Sequence, residues 1–169
     1  WFKGDDFHHN GVFMLCDAFN FYSGFGQPRP KPTTVGPKEF KHYTNDIYKY
    51  YLEVGALKNF TKLMGDSILF WNDLMNHPNY DDWWKVRDAR VGCKNVKPAM
   101  LTVGGLFDAE DCYGAWRLYE AIEKQSPTTN NKIVMGPWFH GGWSKGDGSF
   151  LGNVRFGSKT SNYFQENIE

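Results

Sequence analysis

The sequence predicts an α/β fold, and three observations carry that prediction. Two short apolar runs, inside residues 98–111 (PAMLTVGGLFDAED) and 132–142 (KIVMGPWFHGG), are near-continuous rather than alternating, as buried parallel strands are. A helical pattern over residues 110–124 separates them, so the order is strand, helix, strand. Each run breaks at glycine and delivers one ionisable side chain just past the break, Asp108 in the first and His140 in the second. In open α/β sheets chemistry sits beyond the carboxyl ends of such strands.

The elements follow in order. Residues 1–10 (WFKGDDFHHN) show no period and read as a loop that follows a strand of the sheet. Residues 11–22 place Phe13, Leu15, Ala18, Phe19 and Tyr22 near one helical face. Glycine and proline crowd residues 23–37 and make a connecting loop. Thr44 or Asn45 is placed to cap a helix over 46–54 that stops at Gly55. Further short helices are expected over 56–64, over 68–75 with Asp66 or Ser67 at its start, and over 81–90. After the strands at 99–103 and 132–135 comes a glycine-rich loop, then a last helix from about Lys159. The organisation expected is a helical insertion at 11–96 followed by sheet-forming sequence at 97–169. Two strands cannot bury both faces of a sheet, so partner strands are expected from a longer parent protein.

Composition narrows the function. The 169 residues are enough for one domain with a substantial core. Nineteen basic and nineteen acidic residues cancel, which argues against nucleic-acid or membrane-surface binding by bulk charge. No apolar run approaches the roughly 18–20 residues that span a bilayer. The sequence has no initiating Met and no signal peptide, and is expected to be an internal segment. Aromatic residues make up 18%, which suits either a ring-lined pocket or an aromatic core, and the core is the expected use. Cys16, Cys93 and Cys112 lack metal-site spacing and are expected to be buried thiols.

Asp108 and His140, an acid and a histidine on successive strand ends, suit the second and third members of a Ser–Asp–His triad. That chain order is the one α/β-hydrolases use, so the serine is expected upstream of Trp1. Asp108 equally suits the N-cap of the helix that follows it. The sequence Gly142-Trp143-Ser144-Lys145-Gly146 matches G-x-S-x-G, but it lacks the strand before and the helix after that a nucleophile elbow needs. Glu110 and Asp111 lie where they favour a helix dipole, or where, with Asp5 and Asp6, they form a carboxylate group that binds an ammonium ion. His8 and His9 are adjacent, point apart and have no third ligand at metal spacing, so no metal is expected.

The segments GDDFHHNG, GGLFDAEDCYGAW and MGPWFHGGW resemble those of the CocE/NonD hydrolases of peptidase family S15, the X-Pro dipeptidyl-peptidase family. The similarity is greatest to α-amino-acid ester hydrolases and glutaryl-7-aminocephalosporanic acid acylases; it runs over residues 1–13 and from about His77 onward. The resemblance implies the C-terminal part of an α/β-hydrolase domain (97–169) with an inserted helical cap (11–96). The nucleophile-elbow half, the oxyanion-hole tyrosine and a jelly-roll domain would lie in sequence outside this chain. By the same resemblance Asp108 is the triad acid and His140 the base. Asp6, Glu110 and Asp111 form the cluster that holds a substrate's α-ammonium group. The implied substrates are small esters, amides or dipeptides, with no cofactor, no nucleic acid and no membrane partner. The remainder of the parent hydrolase is the implied partner, homo-oligomers are compatible with it, and a bacterial periplasmic or secreted location is implied. Trp83, Trp84, Trp138 and Trp143 are candidates to wall an acyl pocket, with core packing as their alternative.

Overall fold

A turn of two left-handed residues, Asn10 (φ 51°) and Gly11 (φ 83°), joins the two-residue strands β1 (His8–His9) and β2 (Val12–Phe13). The computed structural model describes residues 6–38 and 40–161; the expectations for Asp5 and for most of the last helix fall outside them. The chain divides into two compact units, one of residues Phe13–Lys85 and the other of the segments on either side. Where a loop and a helix from residue 11 were expected, an Asn-Gly hairpin turn intervenes, because this dipeptide accepts the positive φ at both central positions that such turns need.

In the first unit the helices are α1 (Leu15–Phe25), α2 (Ile47–Val54), α3 (Phe60–Met64), α4 (Leu69–Asn76) and α5 (Asp82–Lys85). Asp46, not Thr44 or Asn45, caps α2: its carboxylate accepts the Lys49 N–H at 3.0 Å, while the Thr44 hydroxyl accepts the N–H of Asp46 at 3.1 Å. Neither Asp66 nor Ser67 caps α4, whose first position follows Ile68 without a side-chain hydrogen bond. The expected helix at 81–90 is cut to one turn. Asp88 intervenes: its carboxylate binds the Arg90 N–H at 3.0 Å and the Arg90 guanidinium, and so starts a separate 3-10 turn at Ala89–Gly92.

The aromatic residues are this unit's core. Phe19 is fully buried and meets Phe40, Tyr51, Phe60 and Trp71 edge-on, with ring centroids 5.0–6.0 Å apart. Burying such a side chain contributes roughly 1.5–3 kcal/mol, and each aromatic pair about 0.5–1.5 kcal/mol more. Trp83 stacks on His77 at 4.9 Å, and the buried Trp84 donates its indole N–H to the His77 carbonyl at 2.8 Å. His77 also bonds Asp81 at 2.6 Å, which holds the Asp81 carboxyl below its ordinary pKa.

The second unit contains the strand–helix–strand element. Strands β3 (Met100–Gly105) and β4 (Asn131–Gly136) pair in parallel, with Met100 opposite Asn131 and Gly105 opposite Gly136. Helix α6 (Cys112–Gln125) crosses between them and buries Ala121 and Ile122 against Cys93, Met100 and Leu118. Its end is fastened to the preceding segment: the Ser126 hydroxyl donates to the Cys93 carbonyl at 2.8 Å and accepts the Val96 N–H at 3.0 Å. A short hairpin, β5 (Phe150–Leu151) with β6 (Val154–Arg155), follows the glycine-rich loop. Of the cysteines only Cys93 is buried; Cys16 is exposed on α1 and Cys112 is half-buried, and no disulfide forms among the described residues. Among those residues no helix is long and apolar enough to cross a membrane.

Candidate active site

Both functional loops grow from the ends of paired strands. The Leu106 N–H donates to the Gly136 carbonyl at 2.8 Å and the Phe107 N–H to the Trp138 carbonyl at 3.1 Å, so the ladder continues past β3 and β4. Glycine is required at both strand ends. A Cβ on Gly105 would strike the Trp138 carbonyl, and one on Gly136 would strike the Trp138 indole. The two loops are thereby brought together just before Asp108 and His140.

Asp108 is buried, its side chain 1% exposed. Its two oxygens do different work. Oδ1 accepts the N–H groups of Glu110 (2.9 Å) and Asp111 (3.1 Å), and Oδ2 faces His140 Nδ1 at 3.1 Å. One oxygen thus holds the turn before α6 and the other faces the imidazole; the cap position of α6 itself is Asp111, not the expected Asp108. An ionised Asp108 accepts from Nδ1–H, which leaves Nε2, on the far side of the ring, as the basic nitrogen.

Two more carboxylates surround Nδ1: Asp111 Oδ2 at 3.4 Å and Glu110 Oε2 at 3.8 Å, both on half-exposed side chains. Burial is the largest single influence on the imidazole and pushes its pKa down. The hydrogen bond to Asp108, with the charges of Asp108, Glu110 and Asp111, outweighs it, and the pKa ends above the ordinary histidine value. Asp6, with a left-handed φ of 51°, donates its backbone N–H to the Glu110 carbonyl at 2.7 Å, which draws the opening loop against this acidic turn. The Asp6 backbone thus joins the turn where Asp108, Glu110 and Asp111 surround His140, although the helical unit separates Asp6 from Glu110 in the sequence.

The remaining candidates make other contacts. His9 Nε2 bonds the Asp6 carbonyl at 2.8 Å. Ser144 lies in a 3-10 turn (Gly142–Ser144) and donates its hydroxyl to the Gly141 carbonyl at 3.0 Å, without the strand–turn–helix setting of an elbow. Trp84 and Trp138 are buried packing residues, while Trp83 and Trp143 are half-buried. Asp108, Asp111 and His140 offer ligand atoms within 4.8 Å of one another, a spacing that a divalent ion fits and that exposed acidic groups commonly show without one. The backbone ties through Trp138 and Asp6 carry no sequence signature of their own. The one cue to the loop's shape is Gly141, left-handed at φ 70°, directly after His140.

The profile of the X-Pro dipeptidyl-peptidase (S15 family) matches residues 2–142. Two solved structures share the fold. An aminopeptidase from the marine sediment archaeon Thaumarchaeota archaeon is 29% identical with a TM-score of 0.83. An α-amino acid ester hydrolase is 28% identical with a TM-score of 0.82. Each superposition covers 99% of this chain and 27% of the other, so the chain spans about a quarter of the length of these proteins. No curated protein matches it. The architecture is that of a fragment of an α/β-hydrolase domain, and the chain belongs to the X-Pro dipeptidyl-peptidase (S15) family of hydrolases.

Proposed function

We propose that this chain is the acid- and base-bearing segment of a serine hydrolase that cleaves esters or amides of α-amino acids, β-lactam side-chain amides included. One observation carries the reading. His140 Nδ1 is held by a buried carboxylate that is itself fixed by two backbone amides, with further carboxylates at the same turn. A serine from the parent protein attacks the carbonyl, and His140 Nε2 takes its proton. The same nitrogen returns that proton to the leaving alcohol or amine as the tetrahedral intermediate collapses to an acyl-enzyme. Water then repeats the sequence and frees the acid. Asp108 keeps the imidazole in the Nδ1–H tautomer and stabilises its cation. Asp6, Glu110 and Asp111 receive the substrate's α-ammonium group through charge-assisted hydrogen bonds. By itself, without the serine, the segment is inactive. Residues 11–96 act as the cap and 97–169 as the sheet end of the parent domain, which works in the bacterial periplasm or outside the cell.

A second reading, release of dipeptides from a free amino terminus, is supported by the description of the family and by the aminopeptidase among the similar structures. It uses the same ammonium site. The test is made on the full-length parent protein, with turnover of phenylglycine methyl ester compared with its N-acetyl form and with an Xaa-Pro anilide. Strong preference for the free amine, lost in Asp111→Ala, and loss of all turnover in His140→Ala are the expected results. Equal rates on the free and acetylated esters would reduce the cluster to helix capping. Faster turnover of the anilide than of the ester would select the peptidase reading, and loss of activity to a chelator would point to metal-assisted hydrolysis instead.

A further inference from the structure

The loop that carries His140 is closed at its base by a half-buried polar relay that the reaction above does not use. The Trp138 indole N–H donates to Thr160 Oγ1 at 2.9 Å, and the Thr160 hydroxyl donates to the Gly148 carbonyl at 2.7 Å. Trp138 is 4% exposed, and its ring lies over Gly136 at the end of β4. Its carbonyl accepts from Phe107, the residue before Asp108. Gly148, at φ 65°, sits so close that a Cβ would strike the hydroxyls of Thr160 and Ser161. The fully buried Ser161 donates to the Gly142 carbonyl at 3.4 Å and its N–H to the Asp147 carbonyl at 3.1 Å. The excursion from Trp138 to Gly148, with His140 two residues inside it, is thus pinned to one point, Thr160–Ser161.

We infer that Thr160 is a positioning residue for the base: through Trp138 and Gly148 it sets where His140 presents Nε2 relative to the Asp108 turn. Thr160 bonds Trp138 and Gly148 rather than His140 or Asp108, and it acts through the loop. The buried Trp138 indole N–H without its acceptor and the half-buried Gly148 carbonyl without its donor each seek new partners, and the loop must shift to supply them. A displacement of about 1 Å at a reacting group lowers a rate by up to roughly 100-fold. Substrate binding by the carboxylate turn is expected to survive, because that turn is held separately by Asp108 and Asp6.

The inference rests on His140 being the base, and the experiment separates the two. In the full-length parent, Thr160→Val keeps the shape and removes the hydroxyl, Thr160→Ser restores it, and Trp138→Phe removes the indole donor. With phenylglycine methyl ester, Thr160→Val is expected to lower kcat by about 10- to 100-fold with KM within about twofold. Its kcat/KM acid limb should move, and Thr160→Ser should return both to near the parent's values. Trp138→Phe should reproduce the kcat loss, while His140→Ala abolishes turnover. Wild-type kcat and pH profile in Thr160→Val, beside an inactive His140→Ala, would overturn the relay alone. A fall in Tm with unchanged kcat would also overturn it, leaving a merely structural contact. Activity in His140→Ala would overturn the base assignment itself.

Discussion

Asp108→Asn is the substitution whose outcome the geometry constrains most. Asparagine keeps one carbonyl oxygen and gains an NH2 group, so its orientation decides the effect. The N–H groups of Glu110 and Asp111 both point at Oδ1, and turning the NH2 toward them would leave two donors facing a third. The amide oxygen therefore stays with the backbone and the NH2 faces His140 Nδ1. That inverts the tautomer: Nδ1 becomes the acceptor and Nε2 carries the hydrogen, so in the proposed reaction His140 has no lone pair for the serine proton. The same inversion in Ser–His–Asp triads costs about 10⁴-fold in kcat, equivalent to about 5 kcal/mol. Here Asp111 Oδ2 lies 3.4 Å from Nδ1 and can accept in place of Asp108, so the expected loss is about 10³- to 10⁴-fold, deepened by adding Asp111→Asn. Stability should change by less than about 1 kcal/mol, because both backbone bonds persist; Asp108→Ala, which orphans them, should cost about 1–2 kcal/mol. Turnover of phenylglycine methyl ester by the parent protein, with thermal melts of both variants, makes the comparison. An asparagine variant that keeps more than about a tenth of kcat would refute the tautomer argument.

Charge and packing around the same atoms give further tests. The net effect on His140 is a raised pKa, so the base is neutral only at higher pH, and the acid limb of kcat/KM should lie above the ordinary histidine value. Glu110→Gln and Asp111→Asn should each move that limb down, as a pH–rate series would record. For folding the sign is the same: protonated His140 adds stability below its unfolded pKa, and this is lost as pH rises through the raised one. Gly136→Ala drives a methyl group into the Trp138 ring, and such overpacking typically costs about 1–3 kcal/mol. Its thermal midpoint should fall, and an unchanged one would show that Trp138 can move aside.

The sheet end was legible in the sequence because its signals are local. The runs Leu101–Val103 and Ile133–Met135 are too short for helices, too apolar for loops, and punctuated by the glycines that Trp138 requires. The helix between them, expected over 110–124, runs from Cys112 to Gln125; it starts late because Glu110 and Asp111 spend their N–H groups on Asp108. Failures came where two short-range signals competed. Asn10-Gly11 was a hairpin dipeptide overlooked in favour of helical spacing around Phe13, and Asp88 broke a helix that hydrophobic period alone continued to Arg90. The joining of Asp6 to Glu110 and of Trp138 to Thr160 was not legible, because each is one hydrogen bond between segments that only the tertiary fold brings together.

The division of labour on Asp108 explains why the acids at this turn belong together. A carboxylate that orients a histidine must be held fixed while buried, and here the donors that hold it are backbone N–H groups of the turn before α6. Using them ties Asp108 to the residues two and three positions later, which are Glu110 and Asp111. Their backbones cannot move without moving Oδ1, and their side chains reach the Nδ1 side of the imidazole, at 3.8 and 3.4 Å. In the proposed reaction an arriving ammonium group would draw those two carboxylates away from Nδ1. The raised basicity that they impose on His140 would then fall, leaving Asp108 as its principal anionic partner. The proposed reaction thus couples substrate recognition and base strength through one turn, so a substrate without the amine meets a base whose pKa is still raised above the ordinary histidine value.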